Sequence, residues 1–219
     1  MWIDENIEFK DRKDAGVSLA YKLANYKDKE GIIVLALPRG GVIIGNEIAS
    51  YLNCPLDVII IRKLGFPGNP ELAIGAISEN GTVVLDESMT SLYGISGEYI
   101  QKEISRQKAL IENRVKLYRK ENILPDLKGK IVILADDGVA TGATMKVAIS
   151  TLRAEEIERL IVAIPIAHPD VVKELVMLVD ELICLQAPYD FKSVGSYYQD
   201  FAQVADNDIV DILDKTKKK

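Results

Sequence analysis

Five short apolar runs recur along this chain: Ile32 to Leu37, Val58 to Ile61, Ile131 to Ala135, Leu160 to Ile166 and Leu182 to Leu185. A half-exposed strand alternates apolar and polar residues, so runs without that alternation predict strands buried on both faces. Helical patterns lie between several of them, at Val42 to Leu52, Ala143 to Leu152 and Pro169 to Val179, each long enough for a crossover. Alternating strand and helix predicts an α/β fold, a parallel sheet flanked by helices. Ligands of such sheets bind beyond the carboxyl ends of the strands, which directs attention to the loops after the runs.

Two segments break the alternation. Ala73 to Ile77 and Thr82 to Leu85 flank Asn80-Gly81, a strong signal for a tight hairpin. Gly97 to Glu121 reads as a charged helix with Ile100, Ile104, Ile111, Val115 and Tyr118 on one stripe. Its seven Lys and Arg against four Glu predict a solvated outer face. A phosphate entrance and a subunit contact are the other readings of that face. The whole predicts one domain over residues 1–219, with a hairpin-plus-helix insertion at about 66–125.

The third run continues as Ile133 to Met145, ILADDGVATGATM: paired acids, then a loop of small residues that opens a helix at Ala143 or Thr144. The first amides of a helix have no intrahelical partner and carry partial positive charge, which suits phosphate. Gly138, Ala140, Gly142 and Ala143 let an anion come close, and Thr141 and Thr144 add hydroxyl donors. Carboxylates accept hydrogen bonds from sugar hydroxyls. An ordinary strand-to-helix turn uses similar letters, but the acids set this one apart. Gly138 and Gly142 lack the spacing and the following lysine of a nucleoside-triphosphatase loop, and no G-x-G-x-x-G fingerprint is present.

Two other loops carry cations. Pro38-Arg39-Gly40-Gly41 follows the first run and opens a helix, and a simple tight turn is its alternative reading. Arg62-Lys63 precede Leu64-Gly65-Phe66-Pro67-Gly68-Asn69-Pro70, where a solvated surface connection is the alternative.

The segment Ile133 to Met145 resembles the phosphoribosyl-pyrophosphate signature of type I phosphoribosyltransferases. The order of motifs from about Ile32 to Asp200 looks most like the uncharacterised predicted members of that family, whose acceptor is unassigned. The resemblance implies that Asp136 and Asp137 hold the ribose hydroxyls and that Gly138, Val139, Ala140, Thr141, Gly142, Ala143 and Thr144 cradle the 5′-phosphate. It further implies that Pro38, Arg39, Gly40, Gly41, Arg62 and Lys63 grip pyrophosphate, with the Pro38-Arg39 peptide cis. Catalysis would then rest on Asp136, Asp137, Arg62 and Lys63. Gly65 to Pro70 would form a mobile cover that keeps water from the reacting centre, with Glu71 nearby.

By the same resemblance, phosphoribosyl pyrophosphate donates its ribosyl group to a small nitrogenous acceptor such as a nucleobase, and pyrophosphate leaves. Magnesium would be held mainly by the donor's oxygens and water, without a protein metal cage. A C-terminal hood at about 186–205 and the positions Pro165 to His168 would enclose the acceptor. Tyr189, Phe191 and Val194 are the candidate contacts, Phe191 to Asp200 being loosely similar to the tail of purine-salvage members. Aromatic residues at a sheet edge also commonly belong to the core, and His168 suits a helix start better than a catalytic base. The insertion helix departs from the best-known purine enzymes. The resemblance is compatible with a homodimer.

The composition, 48% hydrophobic with a net charge of −6, argues against sequence-independent nucleic-acid binding. There is no 18-residue apolar stretch, and Met1-Trp2-Ile3-Asp4-Glu5 lacks signal-peptide regions, so the sequence predicts no membrane span and a soluble, cytoplasmic protein. Cys54 and Cys184 read as reduced core thiols, and Lys215 to Lys219 as a solvated tail. The alternative function is a non-catalytic protein that senses phosphoribosyl pyrophosphate or nucleotides. An acid-based phosphatase is a weaker third reading, because Asp136 and Asp137 would point to opposite sides of an extended chain.

Overall fold

Runs that are apolar on every residue need cover on both faces, and the computed structural model supplies it around a parallel sheet. The structure describes residues 8–119 and 124–216, the Glu71 side chain excepted. The expectations for Met1 to Glu5, for positions 120–121 of the charged helix, for Glu71 as a site residue and for 217–219 of the tail lie outside the described residues. In chain order the first elements are α1 (Arg12–Lys22), β1 (Ile32–Ala36), α2 (Gly40–Leu52), β2 (Leu56–Val58), β3 (Ile61–Phe66), β4 (Asn69–Ser78) and β5 (Val83–Leu85). They are followed by α3 (Glu87–Leu92), α4 (Gly97–Tyr118), β6 (Ile131–Ala135), α5 (Ala143–Arg153), β7 (Arg159–Ile166), α6 (Pro169–Val176), β8 (Glu181–Gln186) and α7 (Asp206–Thr216). No helix among the described residues is long and apolar enough to cross a membrane.

The chain forms two compact units. The first comprises residues up to Val58, Pro125–Gly142 and Glu155 onward, and it contains the five-stranded sheet in the order β2-β1-β6-β7-β8. All four pairings are parallel, with Val34 opposite both Leu56 and Ile133, Ile133 opposite Ile161, and Ala163 opposite Ile183. Leu35, Ile133, Ile161 and Ile164 are completely buried, each such side chain contributing about 1.5–3 kcal/mol over the exposed state. The strand order reverses between β1 and β6: β2 lies outside β1, and β7 lies on the other side of β6. At such a switch point the following connections part and leave room for a ligand.

Three helices are absent from the sequence reading. α1 begins where the Asp11 side chain accepts from Asp14 N at 2.8 Å, an N-cap that satisfies an otherwise orphaned amide. α3 starts at a similar cap, the Asp86 carboxylate accepting from Met89 N. α7 carries Lys215 in its last turn, so that lysine belongs to a helix rather than to a loose tail.

The second unit comprises Ile59–Leu124 and Ala143–Ala154, so the hairpin and long helix expected as an insertion assemble with α5. Its antiparallel sheet has the order β3-β4-β5, and α4 and α5 pack against it. The expected hairpin is β4–β5, with Ile77 opposite Val83 and Gly81 in the left-handed region of the turn.

Two expectations require correction here. The run Val58 to Ile61 is not one strand, because the chain changes sheets inside it: Ile60 N donates to Glu79 Oε1 at 2.9 Å rather than to a ladder partner. An unbroken apolar run cannot report such an exchange, since both strands and the link between them are buried. Arg62 to Pro70 is likewise no open loop. Gly65 and Phe66 end β3, Asn69 and Pro70 begin β4, and only Pro67-Gly68 turn between them. Tyr99 donates to Gly65 O at 2.9 Å and the Phe66 and Tyr93 rings meet edge-on at 5.2 Å, which anchors the hairpin tip.

The buried face of α4 also differs from the expected stripe. Ile111 and Tyr118 are buried as expected, but Glu103 and Gln107 join them while Ile100, Ile104 and Val115 are half-buried. Glu103 accepts from Gly65 N at 3.3 Å and from Gln107 Nε2 at 2.8 Å, and Arg106 grips it with two nitrogens at 2.7 Å. The Arg106 bonds, outweighing burial, lower the Glu103 pKa to about 2, with help from Gln107 and Gly65. The folded value lies below the ordinary one, so this stabilisation is present above the unfolded value of about 4.3 and is lost as pH falls toward about 2. Glu103→Gln is expected to cost about 1–2 kcal/mol at pH 7, discounted for the solvent-exposed Arg106 partner. Urea titrations from pH 7 down to pH 2 should show the gap from wild type closing over the acidic end.

Candidate active site

The in-register pairing of β1 with β6 brings the loops that follow them side by side, and Leu37 N extends the ladder by donating to Ala135 O at 2.9 Å. The Pro38–Arg39 peptide is cis, as the resemblance implies, and α2 starts at Gly40. A Cβ on Gly40 would stand 1.8 Å from Asp137 Oδ2, and one on Gly41 2.9 Å from the Asp136 Cα. No side chain fits at Gly40 without displacing the Asp137 carboxylate. The amino end of a thirteen-residue helix therefore lies directly against two acids. Arg39 faces Asp206 in the first turn of α7 at 4.0 Å.

The acids themselves are differently held. β6 ends at Ala135 and the chain bends at Asp137, which brings the two carboxyls together instead of sending them to opposite sides as an extended chain would. Asp136 Oδ1 accepts from Asp137 N at 2.8 Å. Burial, and then the neighbouring Asp137 charge, push the Asp136 carboxyl well above the ordinary range. Asp137 Oδ2 accepts from Arg12 Nε at 2.7 Å, and its carbonyl accepts from the Tyr198 hydroxyl at 2.6 Å. Burial chiefly, and then the Asp137 charge, push the Tyr198 phenol upward.

Beyond the acids the chain is pinned to β7. Val139 N donates to Ile166 O at 2.9 Å and His168 N to Val139 O at 3.0 Å. Gly138 lies so close to the next wall that a Cβ would meet Val194 Cγ1 at 2.4 Å and Ile166 Cγ2 at 2.7 Å. Ala140 and Thr141 are exposed, Gly142 has φ of 76°, and α5 begins at Ala143, followed by Thr144. His168 caps α6, its Nδ1 accepting from Asp170 N at 3.2 Å.

The three acceptor candidates separate. Val194 packs on Gly138, while Phe191 stacks with Tyr197 at 5.8 Å and meets His168 edge-on at 5.7 Å. Tyr189 is 95% exposed and takes no part in that aromatic group. Arg62 and Lys63 belong to the second unit. There Arg62 Nε donates to Gln107 Oε1 at 2.9 Å, and its pKa is lowered by burial and then by the charges of Arg114 and Arg106. Lys63 is exposed. Cys54 and Cys184 are free thiols, Cys184 buried and both pushed up to about 12 by burial. Among the described residues no group of three or more His, Cys, Asp or Glu could hold a metal ion.

Sequence reasoning missed Arg12, Tyr198 and Phe201. The guanidinium of Arg12 lies 3.7 Å from the centre of the Phe201 ring, and its Nη1 donates to Ala202 O at 2.8 Å. The available signal was Asp11-Arg12-Lys13-Asp14, a cation inside a capping sequence, but nothing local ties it to an acid 125 positions away.

The phosphoribosyl transferase domain model matches residues 6–200, which takes in the acids, both loops and most of the hood. The chain belongs to the phosphoribosyl transferase domain family. Two Mycobacterium tuberculosis proteins, from strains CDC 1551 / Oshkosh and ATCC 25618 / H37Rv, are each named "Putative phosphoribosyl transferase". This phosphoribosyl transferase domain is 38% identical to them over 210 residues, 96% of its own chain and 47% of theirs. It thus spans about half the length of the curated relatives it matches. The crystal structure of TT1426 from Thermus thermophilus is 42% identical with a TM-score of 0.80, covering 94% of this chain and 98% of that one. AQ2163 from Aquifex aeolicus shares the fold at 17% identity and a TM-score of 0.53, over 84% of this chain and 78% of that one.

The raised Asp136 carboxyl has a cost in stability. Between the unfolded value of about 3.9 and the raised folded value, the folded protein holds the extra proton, so stability falls as pH rises through that window. Asp136→Asn keeps an acceptor for Asp137 N and adds a donor toward the Asp137 carboxylate. It is expected to melt higher than wild type at pH 7, by about 2–4 °C for each kcal/mol of repulsion relieved. Calorimetric scans should show the difference vanishing toward about pH 4.

Proposed function

We propose that this phosphoribosyl transferase domain moves the 5-phosphoribosyl group from phosphoribosyl pyrophosphate to a nitrogenous acceptor of the nucleobase class, releasing pyrophosphate. The observation that carries the reading is the contact of Gly40 with Asp137, which sets two hydroxyl-binding acids against the amide-rich start of α2. In this reading Asp136 and Asp137 accept from the ribose 2- and 3-hydroxyls. Gly138 to Thr144 present amides and the Thr141 and Thr144 hydroxyls to the 5′-phosphate, and Pro38 to Gly41 present the α2 amides and Arg39 to pyrophosphate. Arg62 and Lys63 add charge for the leaving group, and Phe191 and Val194 contact the acceptor, with Tyr189 at the margin.

The reaction breaks the bond from the anomeric carbon to the pyrophosphate oxygen, which keeps the electron pair. A bond from the acceptor nitrogen to that carbon forms, and the nitrogen loses its proton to solvent. No protein nucleophile is needed, because orientation and charge stabilisation lower the barrier. Arg12 already occupies Asp137 Oδ2, and the described residues bring together no protein cage for magnesium. Most of the coordination would therefore fall to donor oxygens and water. Bound in this way, magnesium would neutralise charge on the departing pyrophosphate. The free thiols Cys54 and Cys184 support a reducing, cytoplasmic setting.

Incubation with phosphoribosyl pyrophosphate, magnesium and a panel of purine and pyrimidine bases should release pyrophosphate with at least one base. Donor binding without turnover on any base would replace the enzyme reading with a sensor. The double variant Asp136→Asn, Asp137→Asn is expected to weaken donor binding on the order of a hundredfold or more by calorimetry, since two charge-assisted bonds are lost. Unchanged affinity in that variant would remove the ribose assignment.

A further inference from the structure

Asp137 is fixed from two directions by residues that the donor assignment leaves without a role. From α1, Arg12 Nε donates to Asp137 Oδ2 at 2.7 Å, and the two side chains are only 11% and 17% exposed. The same guanidinium is committed elsewhere, through Nη1 to Ala202 O at 2.8 Å and through its face to the Phe201 ring at 3.7 Å. From the hood, the Tyr198 hydroxyl donates to the Asp137 carbonyl at 2.6 Å, and the Tyr198 ring packs on Phe9 at 5.4 Å and on Phe201 at 5.0 Å. Backbone bonds close the frame: Phe9 N to Tyr197 O at 2.9 Å, Gln199 N to Phe9 O at 2.8 Å and Asp200 N to Lys10 O at 2.9 Å.

We infer that Arg12 is a positioning residue for the phosphoribosyl donor: clamped by Phe201 and Ala202, it holds the Asp137 carboxylate in the orientation that meets a ribose hydroxyl. The inference rests on the proposed donor reading of Asp136 and Asp137. A planar guanidinium suits this task because its fixed fork can bond a carboxylate and a carbonyl while its face lies flat on a ring, a geometry that a compact ammonium on a flexible stem reproduces poorly. Its charge also opposes the repulsion between the two acids. Among the described residues, the ionisable groups that bear on the acid pair include Arg12 from α1 and the Tyr198 phenol from the hood. From α2, Gly40 and Gly41 lie against the acids, and Val194 and Ile166 lie against Gly138.

The test measures donor affinity by calorimetry with phosphoribosyl pyrophosphate and magnesium from pH 5 to pH 8.5, for wild type, Arg12→Met and Arg12→Lys. Arg12→Met is expected to bind on the order of 10- to 100-fold more weakly, the usual effect of losing the group that orients a ligand-binding side chain. Its acidic limb should move to higher pH, because Asp136 loses a nearby cation that favours its ionised form. Arg12→Lys keeps the charge but not the stack or the second bond, so it should bind weakly with the acidic limb of wild type. Melting temperatures of all three check folding, and Arg12→Lys serves as the second variant should Arg12→Met fold poorly. Wild-type affinity in either variant, or weaker binding by Arg12→Met with an unmoved acidic limb, would overturn the positioning role while the donor reading stands. No donor binding by wild type at any pH would overturn both together.

Discussion

The site depends on one registration: β1 and β6 run parallel through five residue pairs, from Ile32 opposite Ile131 to Ala36 opposite Ala135. Because both strands end at the same level, their loops emerge side by side, and Leu37 N continues the ladder into Ala135 O. A shift of one residue would exchange the buried faces of β6 and carry Asp137 away from Gly40. The strand order reverses at this same pair. The loop after β1 turns into α2, whose first amides have no helical partner, and the loop after β6 brings carboxylates to meet them. Opposite hydrogen-bonding chemistries become neighbours through sheet registration alone. Glycine at position 40 is what permits their contact.

Two adjacent carboxyls at the end of a buried strand are an electrostatic burden, and the surrounding chain responds to each differently. Asp137 is compensated by Arg12 and by the phenol on its carbonyl, whereas Asp136 is compensated chiefly by the Asp137 amide. The consequence is a divided pair, one member tied to a cation and the other pushed toward its neutral form by burial and by its neighbour. The compensating groups come from opposite ends of the described chain, α1 and the hood. They meet through Phe9, Tyr198 and Phe201. The hood thus has a structural connection to the acids as well as its side-chain wall at Val194.

The sheet was legible because strands covered on both faces leave continuous apolar runs. The acid loop was legible because its letters are consecutive. What the runs concealed is where the chain changes sheets: Val58 and Ile61 lie three positions apart in one apolar stretch yet belong to different sheets. Arg62 to Pro70 looked like a loop because Gly and Pro are turn residues, but β3 and β4 pair up to Phe66 and Asn69, with bulges absorbing the irregularity. Glu103 and Gln107 looked like solvated positions on α4 because charge is a poor guide once a hairpin amide and a guanidinium need partners. Arg12 was invisible for a related reason, since a partner 125 positions away leaves no periodicity. Pattern reports burial and local turns; it does not report which distant group satisfies a charge.

That same principle bears on how an acidic pair can serve a polyanionic donor. On the proposed reading, phosphate groups approach a site that already contains two carboxyls, and like charges within it would oppose binding. The structure reduces the opposition before any ligand arrives. Arg12 offsets Asp137, and the upward shift of Asp136 lowers its charge on the acid side of neutrality. The phosphates need not face the acids, because their natural contacts are amides at the starts of α2 and α5, while the acids accept from uncharged hydroxyls. A carboxyl that still carries a proton would lose part of its capacity to accept from ribose. Donor binding would therefore favour the ionised form of Asp136, and the nearby Arg12 charge, which opposes the upward shift of that carboxyl, would act on affinity without touching the ligand. On the proposed reading, α1 would thus serve the donor through Asp137, although none of the proposed donor contacts lies on it.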